Sequence, residues 1–162
     1  MLEDIKKFDS SVFLLNNTTL KKGFKEFIKL LRESDKELVN KDYFYVNIWS
    51  IACKPCSDEM PFLDLLAETF DKKIGYIMIS AHSNEAVSSF LKNKRIEMKN
   101  FVFLNKMIDF ISGIYNEIEV TNQAFPLHVV LDKNGNCLAY LFGAFHDENS
   151  AAPLINFIKN LA

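Results

Sequence analysis

The run YFYVNIW at residues 43–49 restricts the fold more than any other segment. It is aromatic or β-branched throughout except for Asn47, so a strand built from it belongs buried at the centre of a sheet. The segments after it keep a regular beat. Residues 55–70 read as a helix with Leu63, Leu66, Ala67 and Phe70 on one side. Residues 75–80 read as a strand, and Ser83 caps a helix running to about residue 93. A short strand over 101–104 and a helix over 108–115 follow. Pro126 opens a strand over 127–132, Asn134-Gly135 supplies a tight reversal, and residues 137–142 return antiparallel. Residues 151–161 form a last amphipathic helix through Leu154, Ile155, Ile158 and Leu161. Upstream, residues 11–15 suit a short strand. Thr18 and Thr19 then cap a helix whose apolar stripe is Leu20, Phe24, Phe27, Ile28 and Leu31. Strands alternating with helices, closed by a hairpin and a helix, predict an α/β fold with a mixed sheet. No repeat, linker or block of like charge divides the chain. Residues 1–162 therefore read as one domain, with an amino-terminal extension over 1–42 and a core over 43–162.

Several function classes fall away on composition. A formal net charge of -2, from 19 Lys and Arg against 21 Asp and Glu, argues against a nucleic-acid partner, which needs a basic surface. No stretch approaches the roughly 20 apolar residues that span a bilayer. The start, Met-Leu-Glu-Asp-Ile, lacks the basic and apolar regions of a secretory signal. Three cysteines, Cys53, Cys56 and Cys137, are too few for a disulfide framework.

Two of those cysteines stand at one strand-to-helix turn, as Cys53-Lys54-Pro55-Cys56. A helical start brings their sulfurs close enough to close a small disulfide ring. Free backbone N–H groups and the positive end of the helix dipole stabilise a thiolate at the first cysteine. Such a site lowers a thiol from about 8.5 into the range of roughly 3.5–7.5. Pro55 is tolerated because a first-turn N–H has no partner to lose. The chemistry implied is thiol–disulfide exchange through a mixed disulfide, with Cys53 as nucleophile and the less exposed Cys56 as resolving thiol. A zinc site would need further ligands from Cys137, His82, His128 and His146. None of these forms a second close pair, so no metal and no cofactor is expected.

The segment VNIWSIACKPCSDEMP at residues 46–61 resembles the active-site segment of the TlpA/ResA-type thioredoxin-like thiol-disulfide oxidoreductases. Trp49, Cys53, Pro55, Cys56, Glu59 and Pro61 match that pattern. Pro126-Leu-His-Val-Val-Leu-Asp132 and the hairpin to Gly143 are similar to the family's cis-proline strand. The resemblance covers roughly residues 43–162. It implies a thioredoxin-like fold, in which a mixed sheet is flanked by helices and preceded here by the helical extension. It also implies a cis bond before Pro126 and a partly buried Glu59 that exchanges a proton with Cys56. Trp49 reads as packing behind the dithiol, and Phe125 and Pro126 border the substrate groove. Ala52, Phe125, Leu127 and His128 depart from the residues the family favours at those places. His128 reads as a core or rim histidine, and Cys137 as a small strand residue outside the redox chemistry.

The activity implied is exchange on protein disulfides, as a reductant. Its partners are disulfide or dithiol proteins and an upstream redox partner. The resemblance also implies an extracytoplasmic site, the periplasm or envelope of a bacterium, with any signal or anchor outside these residues. Two alternatives are a peroxiredoxin-like peroxidase and a non-catalytic thioredoxin-like binding domain. Against the first, Val46 stands where the peroxidase motif needs proline. Against the second, both cysteines are present.

Overall fold

Alternation along the central strand gives the sheet two unlike faces. In the computed structural model, which describes residues 13–20, 23–70, 73–118 and 124–161, β2 (Tyr43–Ile48) is buried from Phe44 onward. It pairs in parallel with β3 (Ile74–Ile79) and antiparallel with β5 (Leu127–Asp132). Beyond them lie β4 (Val102–Leu104), parallel to β3, and β6 (Asn136–Phe142), antiparallel to β5. An outer strand, β1 (Phe13–Thr19), pairs antiparallel with β6, so the order is β1-β6-β5-β2-β3-β4.

Phe44, Val46 and Ile48 point to one side, together with Ile77, Ile79, Leu127, Val129 and Leu131. Helices α1 (Phe24–Ser34) and α4 (Ile108–Glu117) cover that side. Tyr45 and Trp49 point to the other, with Tyr76, Met78 and Val130. There α2 (Lys54–Thr69) and α5 (Glu148–Lys159) close the core, and α3 (Asn84–Lys94) adds Val87. The dithiol helix α2 thus lies on the Tyr45 side of the sheet. Asn47 alternates onto that same side, as a polar residue with no solvent exposure.

Two expectations are corrected. Thr18 and Thr19 do not cap a helix; both belong to β1. α1 begins only at Phe24, behind Gly23 and without a side-chain cap. Two contacts account for this. The Leu20 N–H donates to the Gly135 carbonyl at 2.8 Å, drawing the strand's end to the β5–β6 turn. Gly23 then has φ of +79°, and a Cβ there would lie 2.8 Å from the Phe110 Cα, so only glycine lets α1 approach α4 this closely. Of the short strand expected over residues 11–15, Ser11 and Val12 lie outside the described residues. α5 starts at Glu148, ahead of the expected residue 151, because Asp147 and Ser150 form a reciprocal capping box.

The antiparallel hairpin contains a bulge. Val130 faces Ala139 but Leu131 faces Cys137, leaving Leu138 extra. Cys137 consequently turns to the α1 and α4 side while Ala139 stays on the side of α2.

α1 is fastened by Phe27, which is fully buried, stacks on Phe110 with ring centroids 4.7 Å apart and meets Phe44 edge-on. Phe27→Ala should cost about 3–5 kcal/mol of unfolding free energy. Denaturant titration checks this, and an unchanged midpoint would mean that α1 is not part of the cooperative core.

Candidate active site

β2 delivers the chain to the dithiol. The Trp49 N–H still donates to the Ile79 carbonyl at 3.0 Å, and the Cys53 N–H closes the following turn onto the Ser50 carbonyl at 3.1 Å. His82, from the loop after β3, braces that turn. Its Nε2 accepts from the Ile51 N–H at 3.1 Å and lies 3.2 Å from the Ser50 hydroxyl. Sequence reading considered His82 only as a metal ligand. Its signal was positional, because residues just beyond the carboxyl ends of adjacent parallel strands meet.

Cys53 is the N-cap residue of α2, with extended backbone, and its sulfur accepts from the Cys56 N–H at 3.2 Å. Pro55 sits in the first turn, where no intrahelical bond is lost. Cys53 and Cys56 are joined as a disulfide with their Cα atoms 5.3 Å apart. Cys53 is half-buried and Cys56 fully buried. The cause is helical phase, since Cys56, Glu59, Met60 and Leu63 form one inward stripe. Lys54 and Asp58 pair at 2.7 Å on the solvent side, where an exposed pair contributes little.

Glu59 is the buried carboxyl of this stripe, 1 % exposed. Its Oε1 accepts from the Asn47 side-chain amide at 2.9 Å, and its Oε2 accepts from the Phe145 N–H at 2.8 Å. Burial outweighs these two bonds and pushes its pKa up to about 7. Among the described residues Asn47 Oδ1 meets no donor.

His128, directly across from Asn47 in the β2–β5 register, joins the same cluster. Its Nε2 lies 2.8 Å from the Gly143 carbonyl, which can only accept, so Nε2 carries the proton. Nδ1 is then bare and accepts from the Tyr45 hydroxyl. Burial pushes the His128 pKa down to about 4 and raises that of Tyr45. His128 Nε2 and Glu59 Oε2 are 3.5 Å apart. Between about pH 4 and 7 they form a neutral pair, not an ion pair. Sequence reading left His128 and Tyr45 out of the site and used Asn47 only as a break in an apolar run. Two polar residues facing each other on neighbouring central strands were the available signal.

The Phe125–Pro126 bond is cis. Leu127 pairs with Ile48, so the strand register carries Pro126 to the level of Trp49, at the entrance to the dithiol turn. Trp49 is 1 % exposed and packs among Phe90, Phe103 and His82. Cys137 lies across the sheet, and burial pushes its thiol up to about 12.

The two buried titrating groups act on stability in opposite directions. Between about pH 4.5 and 7 the unfolded chain releases a Glu59 proton that the folded chain keeps, so this contribution falls as pH rises. Between about pH 4 and 6.5 the unfolded chain holds a proton that folded His128 refuses, so this contribution grows as pH rises. Each slope approaches about 1.4 kcal/mol per pH unit, and the two nearly cancel where they overlap. Glu59→Gln should unmask a stability that climbs across this range, and His128→Leu one that declines. Urea midpoints at half-unit pH intervals read both slopes, and flat curves in both variants would refute the assignment.

No protein-family model matches the chain. The chain is 30% identical over 110 residues to the thiol-disulfide oxidoreductase ResA of Bacillus cereus. That match takes in 67% of the chain but 58% of the relative, so the chain spans less than two thirds of its length. Among solved structures, a DsbF homologue from Corynebacterium diphtheriae superposes with a TM-score of 0.60 at 17% identity, covering 94% of either chain. StoA from Bacillus subtilis gives 0.52 at 15%, covering 72% of this chain and 84% of that one. The exposed lipoprotein thioredoxin of Streptococcus pneumoniae gives 0.55 at 15%, covering 75% and 88%. The fold is therefore thioredoxin-like, and with the dithiol motif and the ResA likeness the chain belongs to the TlpA/ResA-type thioredoxin-like family.

Proposed function

We propose that the chain is a thiol-disulfide oxidoreductase that reduces disulfides in other proteins through Cys53 and Cys56. The observation that carries this reading is the bonded cysteine pair at the start of α2, with the Glu59 carboxyl one turn further along the same buried stripe. In the reduced form, the Cys53 thiolate at the helix mouth attacks a substrate disulfide. A mixed disulfide forms and one substrate sulfur leaves as thiolate. Cys56 then passes its proton to ionised Glu59 and attacks the Cys53 sulfur. The second substrate thiol departs, and two electrons have moved from the dithiol to the substrate. Burial keeps Glu59 close to neutrality, where it can both take and return that proton.

Regeneration requires a dithiol donor upstream, so the partners are proteins at both ends of the cycle. Phe125 and Pro126, beside the dithiol turn, border the substrate. Among the described residues no helix is long and apolar enough to cross a membrane. An extracytoplasmic location, in a bacterial periplasm or envelope, is the reading that the likeness to ResA and to the exposed pneumococcal lipoprotein supports.

Insulin reduction in dithiothreitol tests the activity. A binding module would give no acceleration over background. Cys53→Ser should abolish exchange and Cys56→Ser should accumulate covalent substrate adducts visible by mass spectrometry. Trapping by Cys53→Ser instead would reverse the two roles. Glu59→Gln should slow resolution by about 10²-fold while sparing the first attack. Cys137→Ser, altered on the far face, should keep exchange intact. The measured potential decides direction, since a value nearer about -270 than -120 mV marks a reductant.

A further inference from the structure

Glu59 is a useful base only while ionised, and a buried carboxylate needs donors to exist in that state. Two are in place, the Asn47 amide and the Phe145 N–H. A third stands close by. His128 Nε2–H is 3.5 Å from Glu59 Oε2, too far for a bond but within a small shift of one. Three contacts aim that N–H. The Tyr45 hydroxyl occupies Nδ1 and so fixes the tautomer. The Gly143 carbonyl holds Nε2–H at 2.8 Å, and the Phe145 ring stacks on the imidazole at 4.2 Å. The loop bearing Gly143 and Phe145 therefore holds both His128 and Glu59.

We propose that His128 is a positioning residue for the exchange reaction, its Nε2–H serving as the reserve donor that turns from Gly143 to Glu59 when the carboxyl ionises. The inference rests on the oxidoreductase reading and adds to it a group that touches neither substrate nor sulfur. A neutral imidazole suits this role, because it supplies a hydrogen bond without placing a second buried charge beside the acid. Burial keeps His128 neutral at working pH. Among the described residues, the titratable groups in contact with it are Tyr45 from β2 and Glu59 from α2. β6 presents Leu141 across the pair and the following loop presents Gly143 and Phe145, so neither adds a charge. The ionised state that His128 serves is thus that of Glu59.

The experiment follows Cys56 attack on a preformed Cys53 mixed disulfide by stopped flow from pH 5 to 10. In the wild-type chain the rate should rise with a midpoint near neutrality. In His128→Leu, which removes the donor, that midpoint should move alkaline by about one pH unit. The rate at pH 6 would then drop roughly tenfold, and the rate at pH 10 would return to the wild-type level. His128→Gln, which can present an N–H at a similar reach, should restore most of the midpoint. The initial Cys53 attack is read in parallel and should not shift in either variant. A purely structural histidine would lower the rate equally at every pH, and a midpoint that stays put in folded His128→Leu overturns the proposal. Should that variant fail to fold, NMR of the wild-type chain decides. The imidazole should show its proton on Nε2, and its nitrogen shifts should follow the carbon-13 titration of Glu59. A proton on Nδ1, or shifts indifferent to that titration, overturns the proposal as well. Absence of any exchange by the wild-type chain would instead sink the oxidoreductase reading itself.

Discussion

Burial of β2 on both faces is the constraint from which the remaining architecture follows. A strand with no exposed face needs helices above and below, and parallel pairing to β3 needs a crossover between the two strands. That crossover is α2, and its start must fall just beyond the carboxyl end of β2. The dithiol occupies this place. The place of the dithiol and the place of the core are therefore set by the same strand. Phe44, Val46 and Ile48 anchor the layer of α1 and α4, while Tyr45 and Trp49 anchor the layer that holds the sulfurs.

Asn47 is the exception inside that strand, and a costly one. A buried amide is tolerated only where hydrogen bonds replace water. Here it brings a carboxyl with it, and that carboxyl shares its surroundings with a neutral histidine and a tyrosine. Glu59 and His128 draw on the Gly143–Phe145 loop, Asn47 on Glu59 from α2, and Tyr45 on His128 from the neighbouring β5. The polar cluster and the apolar core are not separate regions. The cluster is the part of the α2-facing core where residues facing each other on β2 and β5 are both polar.

Much of this was legible in the letters. The beat of strands and helices, the placement of the C-x-x-C and the Asn-Gly reversal each rest on local chemistry, and local chemistry is what a sequence displays. The failures came where tertiary contact overrides it. Thr18 and Thr19 are good capping residues, yet the sheet edge and the Gly135 carbonyl claim that segment, and a glycine opens the helix instead. The start of α5 was missed because its capping box uses Ser150 where glutamate is the usual signal. His128 and His82 were given no place in the site because their partners are distant in the chain: Gly143 for one, Ser50 and Ile51 for the other. Pairing register, not composition, brings such residues together.

The bulge at Leu138 has a chemical meaning for a chain that holds a dithiol at the mouth of α2. In a regular strand, residues two apart share a face, and Cys137 would lie with Ala139 on the side of the reactive sulfurs. The extra residue sends it across instead, to the side of the sheet that α1 and α4 cover. The sheet then acts as a partition with one thiol compartment on either side. One compartment opens to solvent through Cys53, and the other is sealed. In the exchange reaction proposed above, a third sulfur within reach of the mixed disulfide would compete with Cys56 for the resolving step. A single inserted residue removes that competitor and still leaves a small, apolar cysteine to fill the far core.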